Sequence, residues 1–218
     1  MIKHHPSAEL IAAHAAGELS AALSTAISAH CELCDHCQQL LLDVEDELAF
    51  ALFAAPHTTD TAPAKIDDIC HDIIQQTPTA TAVEHTARYV CINNRNYRLP
   101  SALQHTKLQP WHRFGPISRM RFELEQVDGS RISLLHMEAG GKIQHHTHQG
   151  QEFTLVLAGS FADEDGRYQQ GDIVLRDGQH QHSPHSEQGC LCLTVVDAPL
   201  HFTKGLSQVL NLFGHSIY

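Results

Sequence analysis

Along residues 1–76 the apolar positions recur at intervals of three and four, the period of helices with one buried face. Pro6-Ser7-Ala8-Glu9 suits a first helical turn, and the helix it opens carries Leu10, Ile11 and His14 and stops at Gly17. Residues 18–30 predict a second helix, with Leu19, Ala22, Leu23 and Ile27 at helical spacing. Residues 37–53 predict a third, with Leu40, Leu41, Val44, Leu48 and Leu52 on one face. A loop over 55–63 follows, then a short fourth helix over 65–76 carrying Ile66, Ile69, Ile73 and Ile74, then a Thr/Pro linker at 77–81. Beyond it the period becomes two. Residues 118–125 and 131–137 predict strands around an Asp128-Gly129 turn. Residues 153–157 form a strong strand signal ending at Gly159, and 173–175 and 190–196 continue the series. Short strands between Gly-containing turns predict a small β-sandwich or barrel. The expected fold class is therefore two-domain, α then all-β: a helical bundle over 1–85, a linker over 86–104 and a β-domain over 105–218.

Composition sharpens this division. The chain has 218 residues, 42% of them hydrophobic, enough for buried cores and too many for wholesale disorder. The longest apolar run covers only residues 48–55, against the roughly 20 residues needed to span a bilayer. Glu9, His14 and Glu18 interrupt any signal-peptide core, so the expected address is cytoplasmic. The formal charge of −11 sits entirely in residues 1–85, which hold 13 acidic and 2 basic residues, while the rest is balanced. Such a field disfavours nucleic acid and a membrane surface and favours a basic partner.

The chain also has 19 His and 7 Cys. In a reducing compartment their clustering suggests metal sites before disulfides. The stretch from His30 to Cys37 contains His-x3-Cys-x2-Cys, so His30, Cys34 and Cys37 share one side of a helix or its end. Thiolates and imidazoles suit tetrahedral zinc, and a closed set of four donors makes a structural site. His4 or His5 is the nearest source of the fourth, with Cys31 and His36 as alternative donors. The pattern, with its upstream His inside a short helical unit, resembles the zinc-binding anti-sigma domain. The resemblance implies that His5, His30, Cys34 and Cys37 hold the zinc. It also implies that the helical unit grips an extracytoplasmic-function (group IV) sigma factor and blocks its access to RNA polymerase.

A second donor set follows in the β-region. His146 and His148 lie two apart, so on a strand they face the same way, and Glu152 opens the next strand. With a His from a distant strand they would suit Zn, Mn, Fe or Ni. Gly140-x5-His146-x-His148-x3-Glu152-x6-Gly159 resembles the first motif of the cupins, and Gly171 followed by His182 matches the spacing of the second. Asp177 stands where cupins often have Pro and Gln179 where they often have Gly. The resemblance implies a cupin β-barrel with His146, His148, Glu152 and His182 as metal ligands. His145, His180 and His185 lie nearby without motif support.

A helical zinc unit followed by a cupin resembles the ChrR type of anti-sigma factor. Gly159-Ser160-Phe161, Gly171-Asp172-Ile173, Cys190-Leu191-Cys192 and Asp197-Ala198-Pro199-Leu200 add to the likeness. It implies transcription regulation in the oxidative stress response. The front unit inhibits the sigma factor and the barrel releases it on exposure to singlet oxygen or related oxidants. Cys190 and Cys192 are candidate redox partners, or else buried core thiols. No catalytic residue is expected. Two other readings stay open: a cupin dioxygenase or decarboxylase with an acidic helical appendage, and a metal-storage protein built on the 19 His.

Overall fold

The computed structural model describes residues 1–54, 66–75, 87–123, 129–198 and 200–202. Four helices come first: α1 (Ala8–Ala15), α2 (Ala21–Leu33), α3 (Asp35–Ala54) and α4 (Ile66–Gln75). Ser7 and Ser20 cap α1 and α2 by accepting from the backbone N–H groups of Leu10 and Leu23. The second helix runs past His30 to Leu33. Cys34 breaks it at φ −130° and ψ 100°, and α3 starts at Asp35, an acidic first-turn residue, two positions ahead of the expected start.

The face expected to be buried on α3 is not buried along its length. Cys37 is the one buried residue of that helix. Leu40 and Leu41 are partly covered, whereas Leu48, Phe50, Leu52 and Phe53 are 43–77% exposed. On α4, Ile73 and Ile74 are 63% and 78% exposed.

The β-region comprises β1 (Tyr89–Ile92), β2 (Arg95–Arg98), β3 (Lys107–Leu108), β4 (His112–Phe114), β5 (Ile117–Glu123), β6 (Arg131–Met137) and β7 (Gly141–Lys142). It continues with β8 (His146–His148), β9 (Glu152–Ala162), β10 (Arg167–Gln169), β11 (Ile173–Arg176), β12 (His185–Ser186), β13 (Cys190–Val196) and β14 (Leu200–Phe202). The main sheet is antiparallel in the order β3-β5-β6-β13-β9-β12-β7, with β10 and β11 also paired to β9 and β4 to β5. Strands β8 and β14 pair separately. This curled antiparallel sheet agrees with the expected barrel. The segment 86–104 is more than a linker: β1 and β2 form a hairpin within it, turning at Asn93 and Asn94 with φ of 51° and 60°. Residues 124 and 125 and the Asp128 half of the expected turn lie outside the described residues, as do 55–63 and 77–81.

Burial on β13 explains how the two regions join. All seven of its residues are buried, the pattern of a strand covered on both faces. Leu191, Leu193 and Val195 share one core with Ile11, Ala22, Ala26, Ile27 and Ala29 of the helices. Cys190 and Cys192 face the other way, with Met137, Val156, Phe161 and Val174. The alanines of α2 let that helix lie close on the sheet, and Glu32 accepts from Ser101 N–H at 2.6 Å beside it. Gly159 marks a comparably close approach in the barrel. Its φ is +74°, and a Cβ there would fall 2.2 Å from the Gly189 carbonyl oxygen.

Candidate metal centres

The junction of α2 and α3 meets the N-terminal segment at one point. His30 comes from the last turn of α2, Cys34 from its C-cap and Cys37 from the first turn of α3, while His5 approaches from the stretch before α1. Their four donor atoms all lie within 4.8 Å of one another. His5 Nδ1 is 3.4 Å from Cys34 Sγ and 3.3 Å from Cys37 Sγ. His30 is fully buried, and its Nε2 has no hydrogen-bond partner. A buried ring nitrogen without a partner is costly, and a cation there would remove that cost. Burial, with Cys34 beside it, pushes the Cys37 thiol up to about 12, so without a cation Cys37 keeps its proton. Donor chemistry and spacing both fit a four-coordinate metal.

Cys31 and His36 stay outside this group. Cys31 is buried and directs its Sγ at the Cys37 carbonyl, 3.7 Å away, and His36 is exposed. The ring of His4 packs 5.0 Å from Tyr168 of the barrel.

The second cluster lies inside the barrel. His146 and His148 are the ends of β8, and Glu152 opens β9. His182 reaches them through a paired bridge in which its N–H and that of His146 each donate to the other's carbonyl at 3.1 Å. The Nε2 atoms converge: His182 is 3.0 Å from His146 and 3.3 Å from His148. Glu152 Oε2 is 3.0 Å from His148 Nε2 and 3.9 Å from His182 Nε2. Three facing imidazole nitrogens and a carboxylate fit a divalent cation. Two of the outer ring nitrogens are anchored too, whereas His148 Nδ1 is buried without a hydrogen-bond partner. His146 Nδ1 meets the Gln144 carbonyl at 2.8 Å and His182 Nδ1 meets Asp163 Oδ2 at 3.3 Å, which turns each Nε2 inward.

The sequence reading missed Asp163. Its side chain is fully buried and is held by Arg176 at 2.9 Å. Burial opposes its charge, but His182 and Arg176 outweigh burial and hold its carboxyl below the usual range. No motif marks it, because it meets His182 only through the fold. His145, His180 and His185 do not join the cluster: His145 faces Glu164 at 3.7 Å, His180 faces Asp177 at 2.7 Å, and His185 sits in β12. Asp177 rebuilds the turn that Pro would give, by accepting from Gln179 N–H at 2.9 Å.

A cavity of about 40 Å³ adjoins His146, Glu152 and His182, and Cys190 and Cys192 line it as well. It accommodates water or a diatomic, far less than the roughly 300 Å³ of an organic-substrate pocket. The two thiols lie 4.0 Å apart. The hydrogen bond from Cys192 pulls the Cys190 thiol down, and the same contact with burial pushes the Cys192 thiol up.

These environments fix how the metal-free chain responds to acid. Burial lowers His30 and His146 from 6.5 to about 4. The folded chain thus binds fewer protons than the unfolded chain across that interval, so their contribution is complete above 6.5 and lost as pH falls toward 4. Burial would raise the Glu152 carboxyl, but His148, His146 and His182 outweigh it and hold it at about 2, which extends the loss to lower pH. In chelator the melting temperature is expected to be level between about pH 7 and 8 and to fall steadily below about pH 6.5. A level profile down to about pH 4 would contradict the burial of these rings.

The profile of the ChrR cupin-like domain family matches residues 100–199. The chain is 31% identical to the anti-sigma-E factor ChrR of Cereibacter sphaeroides, over 97% of this chain and 98% of that one. The crystal structure of Rhodobacter sphaeroides SigE in complex with the anti-sigma ChrR is similar with a TM-score of 0.67 and 26% identity, over 90% of this chain and 99% of the matched one.

Proposed function

The chain belongs to the ChrR family of anti-sigma factors, and on that premise we propose that it binds an extracytoplasmic-function sigma factor and keeps it from RNA polymerase. In this reading it releases the sigma factor when the barrel meets an oxidant such as singlet oxygen. The role is regulatory rather than enzymatic. The observation that carries it is the match, over nearly the whole of both chains, to a protein named as an anti-sigma factor.

Residues 1–85 are the gripping unit, 86–104 the connection and 105–218 the sensor. The grip has suitable chemistry. The outer half of α3 exposes Leu48, Phe50, Leu52 and Phe53 beside Glu45, Asp46 and Glu47. An apolar strip amid acidic side chains fits a basic protein surface. No helix among the described residues is long and apolar enough to cross a membrane, and the working compartment is the cytoplasm, where a sigma factor acts.

His5, His30, Cys34 and Cys37 hold zinc, which supplies a rigid four-coordinate node between helices. His146, His148, Glu152 and His182 hold zinc or another divalent metal such as Mn, Fe or Ni. Cys190, Cys192 and Met137 are oxidisable side chains that line the small cavity beside the barrel donors.

Co-expression with each extracytoplasmic-function sigma factor of the same cell tests the reading. Purification through a tag on the sigma factor is expected to bring down this chain in equal amount, in a complex that loosens as salt rises. Failure of every sigma factor of the same cell to retain the chain overturns the proposal.

A further inference from the structure

The helical donor cluster does not stand on helices alone, because the barrel turn between β10 and β11 reaches into it. The Gly171 carbonyl lies 3.0 Å from His30 Nδ1. That ring nitrogen therefore carries the proton and donates, leaving the Nε2 lone pair free. Asp172 Oδ1 accepts from the backbone N–H groups of Lys3 at 2.7 Å and His4 at 3.1 Å. Ile173 N–H donates to the His4 carbonyl at 3.1 Å, and Gln169 Nε2 donates to the Met1 carbonyl at 2.7 Å. The stretch that presents His5 is thus tied along the barrel by one backbone hydrogen bond and three that use side chains, without joining the sheet as a strand. Gly171 also leaves room for Ile2. Its φ is +90°, and a Cβ there would fall 2.4 Å from Ile2 Cδ1.

We propose that Gly171 and Asp172 of the barrel are positioning residues for the helical metal site, Gly171 by orienting the His30 ring and Asp172 by fixing the segment that carries His5. The inference rests on reading His5, His30, Cys34 and Cys37 as a metal site. It deepens that reading by giving the barrel a direct hold on two of the four donors.

Strand β11, which begins directly after Asp172, ends at the other cluster. Arg176, at the far end of β11, is the register partner of Glu152 and binds Asp163, which meets His182. A shift of β11 caused by a change at the barrel cluster would be felt at His30 and His5 without passing through residues 78–104. The route depends on two packed arrangements of β11 having different helical-site affinities, which is a measurable coupling.

Cobalt(II) is the probe. Its thiolate absorption reports the helical site alone, since the barrel donors are imidazoles and a carboxylate. In the full-length chain, Asp172→Ala is expected to weaken cobalt binding at the thiolate site about 10- to 100-fold, the usual cost of losing an outer partner of metal ligands. Ile2→Ala, which changes no residue of the barrel and removes only the packing of the N-terminal segment on Gly171, should weaken it in the same direction.

Cobalt affinity within about twofold of the unsubstituted chain in both variants overturns the proposal. If Asp172→Ala lowers the melting temperature of the barrel, Ile2→Ala decides alone. The assay contains no sigma factor, so failure of sigma binding leaves its outcome intact. Absence of any thiolate–cobalt band in the unsubstituted chain overturns the metal-site reading, and this inference with it.

Discussion

Cys37→Ser is expected to abolish sigma-factor binding and leave the sigma factor constitutively active. The reason lies in how α3 is attached. Over 20 residues, α3 buries only Cys37, and beyond the partly covered Leu40 and Leu41 little apolar area ties it to the rest of the protein. Its neighbours are short: α1 has 8 residues and α2 has 13, while isolated helices below about 12–15 residues are marginal in water. In the proposed reading a four-coordinate zinc would supply what the apolar contacts lack, linking the N-terminal segment, the end of α2 and the start of α3 at a single point. In small zinc domains binding contributes on the order of 10 kcal/mol to folding. Losing an outer partner of a ligand weakens metal binding about 10- to 100-fold, so losing the ligand itself should weaken it by at least about 100-fold.

Metal analysis of purified Cys37→Ser is expected to show the helical zinc gone, and a tagged sigma factor is expected to retain none of the variant. Cys31→Ser supplies the comparison, because Cys31 is equally buried but outside the donor group. It should keep its zinc and its partner. A Cys37→Ser chain that still holds both zinc and sigma factor would mean that α3 is anchored by something other than the thiolate.

Three donors of each set were legible in the sequence because their spacing is local, whereas His5 and His182 rested on resemblance to known families. His30, Cys34 and Cys37 fall within eight residues, and His146, His148 and Glu152 within seven. Secondary structure alone brings such residues together. The α2–α3 boundary was misplaced because Ala, Leu and Glu propensity continues through Glu32 and Leu33, and only the Cys34 backbone shows where the chain turns. The β1–β2 hairpin was missed because Arg-Asn-Tyr-Arg lacks apolar alternation. Its one signal was Asn93-Asn94, a pair that tolerates the left-handed turn conformation found there. Leu48 and Leu52 were assigned to a core on their helical spacing. Periodicity identifies an apolar face but not whether this chain or another protein covers it. The contact between Gly171 and His30 spans 141 positions, and Asp163 meets His182 only across strands. Neither leaves a mark in local pattern, since the first is created by packing of the barrel against the helices and the second by closure of the barrel itself.

Glu152→Gln separates sensing from gripping. The carboxylate lies 3.0 Å from His148 Nε2 and 3.9 Å from His182 Nε2, and is held ionised by those rings despite burial. Its charge matters because the three imidazoles bring none, and a buried divalent ion needs neutralising. Gln keeps the shape and removes the charge, so barrel metal binding should weaken by about 10- to 100-fold or more. The helical donors His5, His30, Cys34 and Cys37 form a separate group, so the sigma factor should still be bound and silenced. What should disappear is release. After illumination with a photosensitiser, transcription from the sigma factor's promoters should rise in cells carrying the unsubstituted chain and stay at the dark level in cells carrying Glu152→Gln. The cavity beside Glu152 also touches Cys190 and Cys192, so a lost response would place the oxidant-sensitive chemistry in that small space. Full induction in Glu152→Gln, with the barrel metal confirmed absent, would remove the barrel cluster from the sensing step and leave the helical thiolates as the target.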